Sequence, residues 1–247
     1  MGVRAVVLAA GWASRLGALG AGRPKSLLPV GERTPLDWVV DALEAIEELQ
    51  AIDIITHDAY RPHFDAWIGR RAARTALRVR SNRTRRPQER LGAVGDLHRY
   101  LQENQVPGPL LVLGADMVFD GGLAALAGEH PGELAIAVHD VGSHERVRQL
   151  ASVEVGADGR VQRFVEKDPE PRTTLAVPAM YRLPADALGD VEHYLSAGGE
   201  PDNLGHLVAW WVERRPVRAV RLEGRWIDIG TPEEYERAQR EFGDAPG

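Results

Sequence analysis

Lysine occurs at two positions in this sequence, and both lie in short motifs that could hold a phosphate group. Among the 30 basic Lys and Arg side chains, the lysines are Lys25, in RPKSLLPV, and Lys167, in FVEKDPEP. Lys is a compact point charge on a flexible stem, whereas Arg is a planar fork. This pattern suggests that both lysines contact a group whose geometry a fork would not suit. Chance is the competing interpretation.

The segment LAAGWASRLG, residues 8–17, has the position of a phosphate-binding loop. It follows the apolar run VRAVVLAA, and a loop at the carboxyl end of a strand can direct backbone N–H groups at phosphate oxygens. The segment matches neither GxxxxGK[ST] nor GxGxxG. Arg15 and Lys25 would add two cations to the same crevice. A surface loop with ordinary charges is the alternative.

Two aspartates have the setting of metal ligands. Asp116 ends the apolar run PLLVLGAD, and Mg²⁺ prefers one or two carboxylates together with phosphate oxygens and water. A turn or helix N-cap before a helix at 121–129 is the alternative for Asp116. Asp228 stands between Ile227 and Ile229 at a strand end, where a charged residue needs a partner such as a metal ion. The TPEE that follows is a helix start and does not account for Asp228.

Glu166 and Lys167 are adjacent on a predicted strand. Neighbouring strand residues point to opposite faces unless a bulge or a strand end intervenes. The lysine could hold a phosphate and the glutamate a hydroxyl group. An exposed ion pair is the alternative.

Composition is that of an ordinary globular protein, with 247 residues, 44% hydrophobic and 27% charged side chains. No apolar run approaches the roughly 18 residues that a membrane span requires. The sequence has no cysteine, which excludes disulfides and thiolate zinc sites. We therefore expect a cytoplasmic enzyme with no membrane partner.

Positive charge is concentrated in residues 70–90, which contain nine arginines and a single acidic residue, Glu89, in a chain of net charge −6. Attraction of a triphosphate or RNA is one interpretation of this window. A solvated helix face and loop is the interpretation that we favour, because no aromatic interleaving or RNA-binding module accompanies the charge. We expect no nucleic-acid partner.

Strand and helix patterns alternate along the chain and predict an α/β fold. Near-continuous apolar strands separated by helices indicate a Rossmann-like mixed, mostly parallel sheet covered by helices, with ligands outside the carboxyl ends of its strands. A later hairpin-like run with the turn GADG predicts a small antiparallel, β-rich portion at about 140–182. Strands are predicted at 3–10, 52–56, 77–80 and 109–116 and in ELAIAVHD, QLASVEV, RVQRFVE, LAVPAMYR and VRAVRLE; helices are predicted at 34–50, 61–74, 91–102, 184–197, 203–214 and 232–242.

In this order, LAAGWASRLG, RPKSLLPV, LGAVGDL, LGAD, FVEKDPEP and WIDIGTPEEY resemble the sugar-1-phosphate nucleotidyltransferases, or NDP-sugar pyrophosphorylases. The resemblance extends from Val6 to about Phe242. It implies transfer of a nucleotidyl group from an NTP to a sugar 1-phosphate, with release of pyrophosphate and with Mg²⁺ as cofactor. It also implies a single nucleotidyltransferase domain with a nucleotide-binding half at about 1–139, an acceptor-binding portion at about 140–230 and a C-terminal helix at 231–247.

The resemblance assigns a role to each motif. Arg15 and Lys25 would neutralise the triphosphate, and Asp116 and Asp228 would hold Mg²⁺. Lys167 would grip the sugar phosphate, with Glu166 on a sugar hydroxyl. The nucleotide would contact Leu8, Ala9, Ala10 and Gly11, and its base would contact the segment 88–92 through Gln88, Glu89 and Gly92.

Several departures from the family pattern bear on the acceptor. Ala13 replaces the common glycine of LAAGxGxRL, and Asp168 stands where proline usually follows Glu-Lys. Ala151 and Ala179, assigned to the sugar-phosphate site, also stand where glycine is frequent. We therefore expect an acceptor other than glucose 1-phosphate, such as a deoxy, amino, heptose or cyclitol phosphate.

Two other functions remain open at this point. A cytidylyltransferase for a small phosphate or phosphonate acceptor would use the same nucleotide half, and a non-catalytic nucleotide-sugar sensor would bind nucleotide without turnover. The chain lacks the long C-terminal extension of larger relatives, so no β-helix domain or second activity is expected. The sequence leaves the nucleobase undetermined and a homo-oligomer open.

Overall fold

The fold is built on one large mixed sheet with helices on both faces. The computed structural model describes residues 2–12, 14–20, 22–128, 130 and 132–244, without the side chains of residues 14, 15 and 18. The strands are β1 (Val3–Leu8), β2 (Leu49–Thr56), β3 (Ala76–Ser81), β4 (Leu110–Gly114), β5 (Met117–Phe119), β6 (Leu134–Asp140), β7 (Ala151–Val155), β8 (Val161–Glu166), β9 (Leu175–Ala176), β10 (Met180–Leu183), β11 (Val217–Arg221) and β12 (Trp226–Asp228). The helices are α1 (Pro35–Glu44), α2 (Arg61–Ile68), α3 (Ala93–Glu103), α4 (Ala124–Gly128), α5 (His144–Val147), α6 (Asp190–Ser196), α7 (Leu204–Val212) and α8 (Pro232–Phe242).

The order of the large sheet is β3-β2-β1-β4-β10-β6-β9-β7-β8, with β11 paired to β6. Strands β3, β2, β1 and β4 run parallel, which brings their carboxyl ends to one edge. Strand β10 is antiparallel to both β4 and β6, and β9, β7 and β8 continue the antiparallel part. The predicted mixed α/β fold and its later antiparallel portion are confirmed.

Buried side chains fill both faces of the sheet, because its central strands are apolar on both sides. In β1, Val7 packs in the layer on one face while Val6 packs in the layer on the other, and both are fully buried. Helices α1, α2 and α4 cover the first face, and α3, α6 and α7 cover the second. The loops that leave the carboxyl ends therefore start from a rigid base.

Helices α1 and α8 begin where the sequence places good start signals. Thr34 caps α1 and Thr231 caps α8, each in a reciprocal capping box with the residue three positions on, and each helix has proline at its start. The start of α8 matters for the site, because it fixes the strand end just before it.

Some predicted boundaries were wrong. The helix expected at 34–50 ends at Glu44, because residues 49 and 50 already belong to β2. The helix expected at 61–74 ends at Ile68. The run LAVPAMYR forms two strands, since Pro178 has no N–H for the ladder and its carbonyl accepts from the N–H of Met180 at 2.6 Å. The short ribbon of β5 and β12 was not predicted.

Candidate active site

The loop after β1 is anchored at both sides by the neighbouring strand ends. The N–H of Ala9 donates to the carbonyl of Ile55 at 2.8 Å, and the carbonyl of Leu8 accepts from the N–H of Ala115 at 3.2 Å. Ala9 is buried, Ala10 is half-buried and Gly11 is exposed. The segment expected to bind nucleotide therefore rises from the core to the surface within three residues.

Lys25 reaches over this loop to the carboxylate of Asp116. The Nζ of Lys25 and Oδ2 of Asp116 form an ion pair in which neither side chain is more than a quarter exposed. The Cε of Lys25 would lie 3.4 Å from a Cβ placed on Gly11, so the stem of the lysine passes close to the loop backbone. The structure thus brings together three of the predicted site residues. The side chain of Arg15 lies outside the described part of the chain.

Asp116 and Asp228 lie on neighbouring segments of the β5–β12 ribbon. Asp228 is opposite Met117 in the antiparallel register, and the N–H of Ile229 donates to the carbonyl of Asp116 at 2.7 Å. Asp116 does not cap a helix, because the next helix begins at Ala124. The unpredicted ribbon is therefore the element that joins the two predicted metal ligands.

The two carboxylates at this ribbon suit a hard divalent ion that takes its remaining ligands from substrate and water. Within the described residues there is no cluster of three or more His, Cys, Asp or Glu side chains that could form a complete metal cage. Two carboxylates beside a loop that could bind phosphate match the way Mg²⁺ is bound through one or two carboxylates, substrate phosphates and water. Asp116 and Asp228 are the side chains that could hold such an ion.

Glu166 and Lys167 lie at a strand end, so the rule that neighbouring strand residues point to opposite faces does not keep their side chains apart. Strand β8 ends at Glu166, and Lys167 adopts a positive φ of 50° with its N–H donating to the carbonyl of Leu150 at 2.9 Å. A positive φ is unusual for a residue with a side chain and points to a constrained turn. The buried Asp168 holds this turn, accepting from the hydroxyl of Ser152 at 2.9 Å and from the N–H of Glu170 at 3.0 Å.

These hydrogen bonds give a reason for an aspartate at position 168, where the family usually has proline. Arg163 donates to its carboxylate at 2.5 Å, and this hydrogen bond lowers the pKa of Asp168 below its ordinary value. The ionised carboxylate can then accept all of these bonds and fix the direction of the chain after Lys167.

The two predicted acceptor-side alanines lie in different places. Ala151 is buried opposite Glu166 in the β7–β8 register, and its carbonyl accepts from the N–H of Val177 at 3.1 Å. Ala179 instead lies near Asp116, where its carbonyl accepts from the N–H of Gly114 at 2.7 Å. Ala151 is therefore next to Glu166, and Ala179 lies on the side of Asp116.

The segment expected to bind the base forms a short 3₁₀ turn, Pro87–Glu89, before α3. Gln88 is exposed, whereas the carboxylate of Glu89 accepts from the N–H of Arg85 and from Nε of Arg86, both at 2.8 Å. The first of these bonds is the main cause of the lowered pKa of Glu89. Gly92 precedes α3 with a positive φ of 80°. The carboxylate of Glu89 thus stabilises its own turn.

A stacked aromatic group next to the loop was not predicted. The rings of Trp12 and His57 are parallel, with centroids 3.6 Å apart, and Tyr60 packs against both. His57 is fully buried and neither ring nitrogen has a hydrogen-bond partner among the described residues. Burial lowers the pKa of His57 to about 4, so the ring is neutral at pH 7. The aromatic residue after LAAG was the one sequence signal for this stack.

Most of the arginine-rich window is engaged in ion pairs with acids from other elements. Arg71 pairs with acids of α1, Arg80 with Asp53, and Arg83 with Glu103. Further pairs are Arg85 with Asp58, Arg86 with Glu89 and Arg90 with Asp202. Much of the charge in this window is thus balanced locally.

In the described part of the chain, the helices are too short or too polar to cross a membrane.

Comparisons with known proteins agree with this arrangement. The family model described as nucleotidyl transferase matches residues 4–244. The bifunctional protein GlmU of Methanococcus maripaludis is 22% identical over 241 residues, covering 96% of this chain and 54% of that protein. Valienol-1-phosphate guanylyltransferase of Streptomyces hygroscopicus subsp. limoneus is 28% identical over 276 residues, covering 97% and 71%.

The fold agrees with a solved structure as well. A candidate glucose-1-phosphate thymidylyltransferase from Bacillus anthracis, solved in complex with sucrose, superposes with a TM-score of 0.84 and 19% identity over 99% of this chain and 97% of that one. The chain spans about half the length of the GlmU proteins that it matches.

Proposed function

Because this chain belongs to the nucleotidyl transferase family, we propose that it transfers a nucleotidyl group from an NTP to a sugar 1-phosphate or a sugar-like phosphate and releases pyrophosphate. The observation that carries the proposal is the meeting of Lys25, Asp116 and the Gly11 loop at one point, with Asp228 on the adjoining strand. These groups are what the joining of two phosphates requires.

In this mechanism the chain contributes position and charge. Loop residues 8–11 would direct backbone N–H groups at the triphosphate, and Lys25 would offset its negative charge. Lys167 would bind the phosphate of the acceptor, whose oxygen attacks the α-phosphorus in line with the departing pyrophosphate. A phosphate oxygen is already a nucleophile, so no side chain need act as a general base. Positioning and electrostatic stabilisation dominate such transfers.

Asp116 and Asp228 are proposed to hold Mg²⁺. The ion, when bound, would polarise phosphate oxygens and neutralise developing negative charge. Lys25 already neutralises part of the charge of Asp116. The lysine and the ion would therefore share one carboxylate, which keeps the local charge near neutral before the triphosphate enters.

The acceptor is proposed to differ from glucose 1-phosphate. Ala151 is buried directly opposite Glu166, and we propose that its methyl group takes up space beside the hydroxyl that the glutamate would contact. One relative is named for a valienol phosphate, which supports a cyclitol or another unusual ring among the candidates. We propose that the chain is divided into a nucleotide-binding half, about 1–139, and an acceptor-binding portion, about 140–230.

Pyrophosphate release with Mg²⁺, measured for five NTPs against a panel of sugar, cyclitol and small-alcohol phosphates, tests this proposal. We expect one NTP to react with one class of ring phosphate and glucose 1-phosphate to be a poor acceptor. Turnover with phosphocholine or a phosphonate would indicate a small-acceptor cytidylyltransferase. Nucleotide binding without turnover across the panel would indicate a sensor.

A further inference from the structure

The segment 199–205, which we call the strap, connects α6 to α7 and contacts both proposed halves of the site. At one end it caps α3, the helix that follows the proposed base-binding segment. The N–H groups of Ala93 and Val94 donate to the carbonyls of Asp202 and Pro201, at 3.1 and 2.9 Å. First-turn N–H groups of a helix have no partner within the helix, and α3 begins at a glycine that supplies no side-chain cap. The strap supplies those partners.

The contact between Gly92 and the strap leaves no room for a side chain. A Cβ on Gly92 would lie 2.3 Å from the carbonyl oxygen of Pro201 and 2.5 Å from the Cα of Asp202. Beside this contact, Arg90 forms an ion pair with Asp202 at 2.6 Å. The turn that leads into α3 is therefore held against the strap by backbone and side-chain contacts together.

At its other end the strap meets the proposed acceptor side. A Cβ on the buried Gly205 would lie 2.2 Å from Oε2 of Glu166, so the carboxylate occupies the space that a side chain would fill. Gly205 lies in the first turn of α7, where the positive end of the helix dipole favours a nearby carboxylate. The carboxylate of Glu166 thus rests against the strap.

Internal hydrogen bonds make the strap a continuous unit. The carboxylate of Glu200 accepts from the N–H of Asp202 and from Nδ1 of His206, both at 2.9 Å, and the side chain of Asn203 accepts from the N–H of Gly205 at 2.8 Å. The hydroxyl of Tyr194 donates to the carbonyl of Glu200 at 3.0 Å. A displacement at Gly205 can therefore be transmitted to Pro201 and Asp202.

We propose that the strap couples the two substrate sites, so that an acceptor engaging Glu166 changes the affinity for the nucleotide through the hold on α3. This coupling rests on the proposed function of both halves. The two arrangements are the carboxylate against Gly205 and the carboxylate turned to an acceptor hydroxyl. Pro201, Asp202 and Gly205 act here as positioning residues. The coupling must be reciprocal, because each ligand changes the affinity of the other by the same factor.

Two variants perturb opposite ends of the strap. Pro201→Gly loosens an exposed position beside α3, with Pro107→Gly, in the exposed loop after α3, as the matched control. Gly205→Ala displaces the carboxylate of Glu166 without changing the residues of the strap that contact α3. Amide hydrogen exchange of residues 93–97, measured without ligand, should become about tenfold faster in Pro201→Gly, the scale of a lost helix cap. It should also rise in Gly205→Ala and stay unchanged in Pro107→Gly.

Binding measurements complete the test. The probes are the α,β-methylene analogues of the five NTPs with Mg²⁺, titrated with and without the ring phosphate that gives the fastest pyrophosphate release in the acceptor panel. In the unaltered chain the ring phosphate should change the affinity for one analogue by about fivefold or more. That ratio should fall to about one in Pro201→Gly and persist in Pro107→Gly, since the coupling constant reports the strap and not overall folding. An unchanged ratio in Pro201→Gly, with both ligands binding, would overturn the coupling alone. Failure of all five analogues to bind the unaltered chain would overturn the proposed function and the coupling with it.

Discussion

The ammonium group of Lys25 is paired with the carboxylate of Asp116, although Lys25 precedes α1 and Asp116 follows β4, far apart in the sequence. The pair joins Lys25, the cation proposed to bind the triphosphate, to Asp116, a proposed metal ligand. It also bears on why a lysine occupies position 25, since a Cβ on Gly11 would lie only 3.4 Å from the Cε of Lys25. A planar guanidinium is a wider group than an ammonium, so we expect it to fit less well beside this loop.

Lys25→Arg should therefore reduce turnover although it keeps the charge. We expect kcat to fall by about a hundredfold, comparable to the loss of one well-placed electrostatic contact. Pyrophosphate release under saturating substrates measures this, with thermal unfolding to show that the fold is retained. Arg221→Lys, at an exposed position away from the loop, is the control for an exchange of these two residue types. Turnover near the unaltered value in Lys25→Arg would contradict the role of the lysine geometry.

Asp116→Asn and Asp228→Asn should each fold normally and lose most activity. An amide keeps the shape of the carboxylate but removes the charge that a divalent ion requires. Titration of activity with Mg²⁺ should show that neither variant recovers at concentrations that saturate the unaltered chain. Asp186→Asn, whose carboxylate is exposed and pairs with Arg215 far along the chain, serves as the control. Full turnover in either ribbon variant would remove the metal assignment.

The buried His57 should make stability depend on pH. Its folded-state pKa of about 4 lies below the ordinary 6.5, so the unfolded chain takes up a proton first as the pH falls. Stability is therefore complete above pH 6.5 and is lost between about 6.5 and 4, by up to roughly 3 kcal/mol at about 1.4 kcal/mol for each pH unit. His57→Phe retains an aromatic ring beside Trp12 and removes the titration. The difference in unfolding free energy between the two chains should vary over this range and be flat above it.

Asp96 should act in the opposite direction. Burial raises the pKa of this carboxyl from 3.8 to about 6, against a hydrogen bond from Asn82 at 2.8 Å that favours the charged form. The folded chain therefore holds its proton more tightly than the unfolded chain, so this contribution is present below about pH 4 and is lost as the pH rises through about 6. Asp96→Asn should exceed the unaltered chain in unfolding free energy at pH 8 by about 1–3 kcal/mol. Chemical denaturation at pH 4 and pH 8 measures this, and a clear loss at pH 8 would show that the charge is needed.

Ala151→Gly should widen the acceptor range. Removing the methyl group opposite Glu166 enlarges the pocket on its acceptor side, so glucose 1-phosphate should gain in kcat/KM relative to the preferred acceptor, by about tenfold, the worth of about one methyl group. Ala176→Gly is a control, since Ala176 is buried on β9 but belongs to the core layer on the opposite face of the sheet. An identical acceptor ranking in the Ala151 variant would place the source of specificity elsewhere.

The elements of long, apolar character were predictable from the sequence, and the site motifs fell at their ends. The runs that became β1, β2, β4 and β6 are mostly apolar, and capping signals at Thr34 and Thr231 marked two helix starts. Strands β5 and β12 have three residues each, too few for a period to show. Their pairing is nevertheless what brings Asp116 to Asp228.

The remaining omissions come from contacts distant in sequence. The stack of Trp12 on His57 joins the end of β1 to the end of β2, and the strap meets Gly92 from more than 100 residues away along the chain. Local patterns carry no information on such pairs, since the sheet order decides which ends meet. Gly205 has an ordinary place in a helix, and only the position of Glu166 shows why it lacks a side chain.

The two lysines also make the site chemically distinct from the rest of the molecule. Acylating reagents attack unprotonated amines and spare guanidinium groups, so they have two side-chain targets here, Lys25 and Lys167. Lys167 is exposed at its turn, whereas Lys25 is shielded and paired with Asp116. The two amines should therefore be labelled at different rates, and each rate would report the occupancy of its own half of the site by mass spectrometry, without an engineered probe.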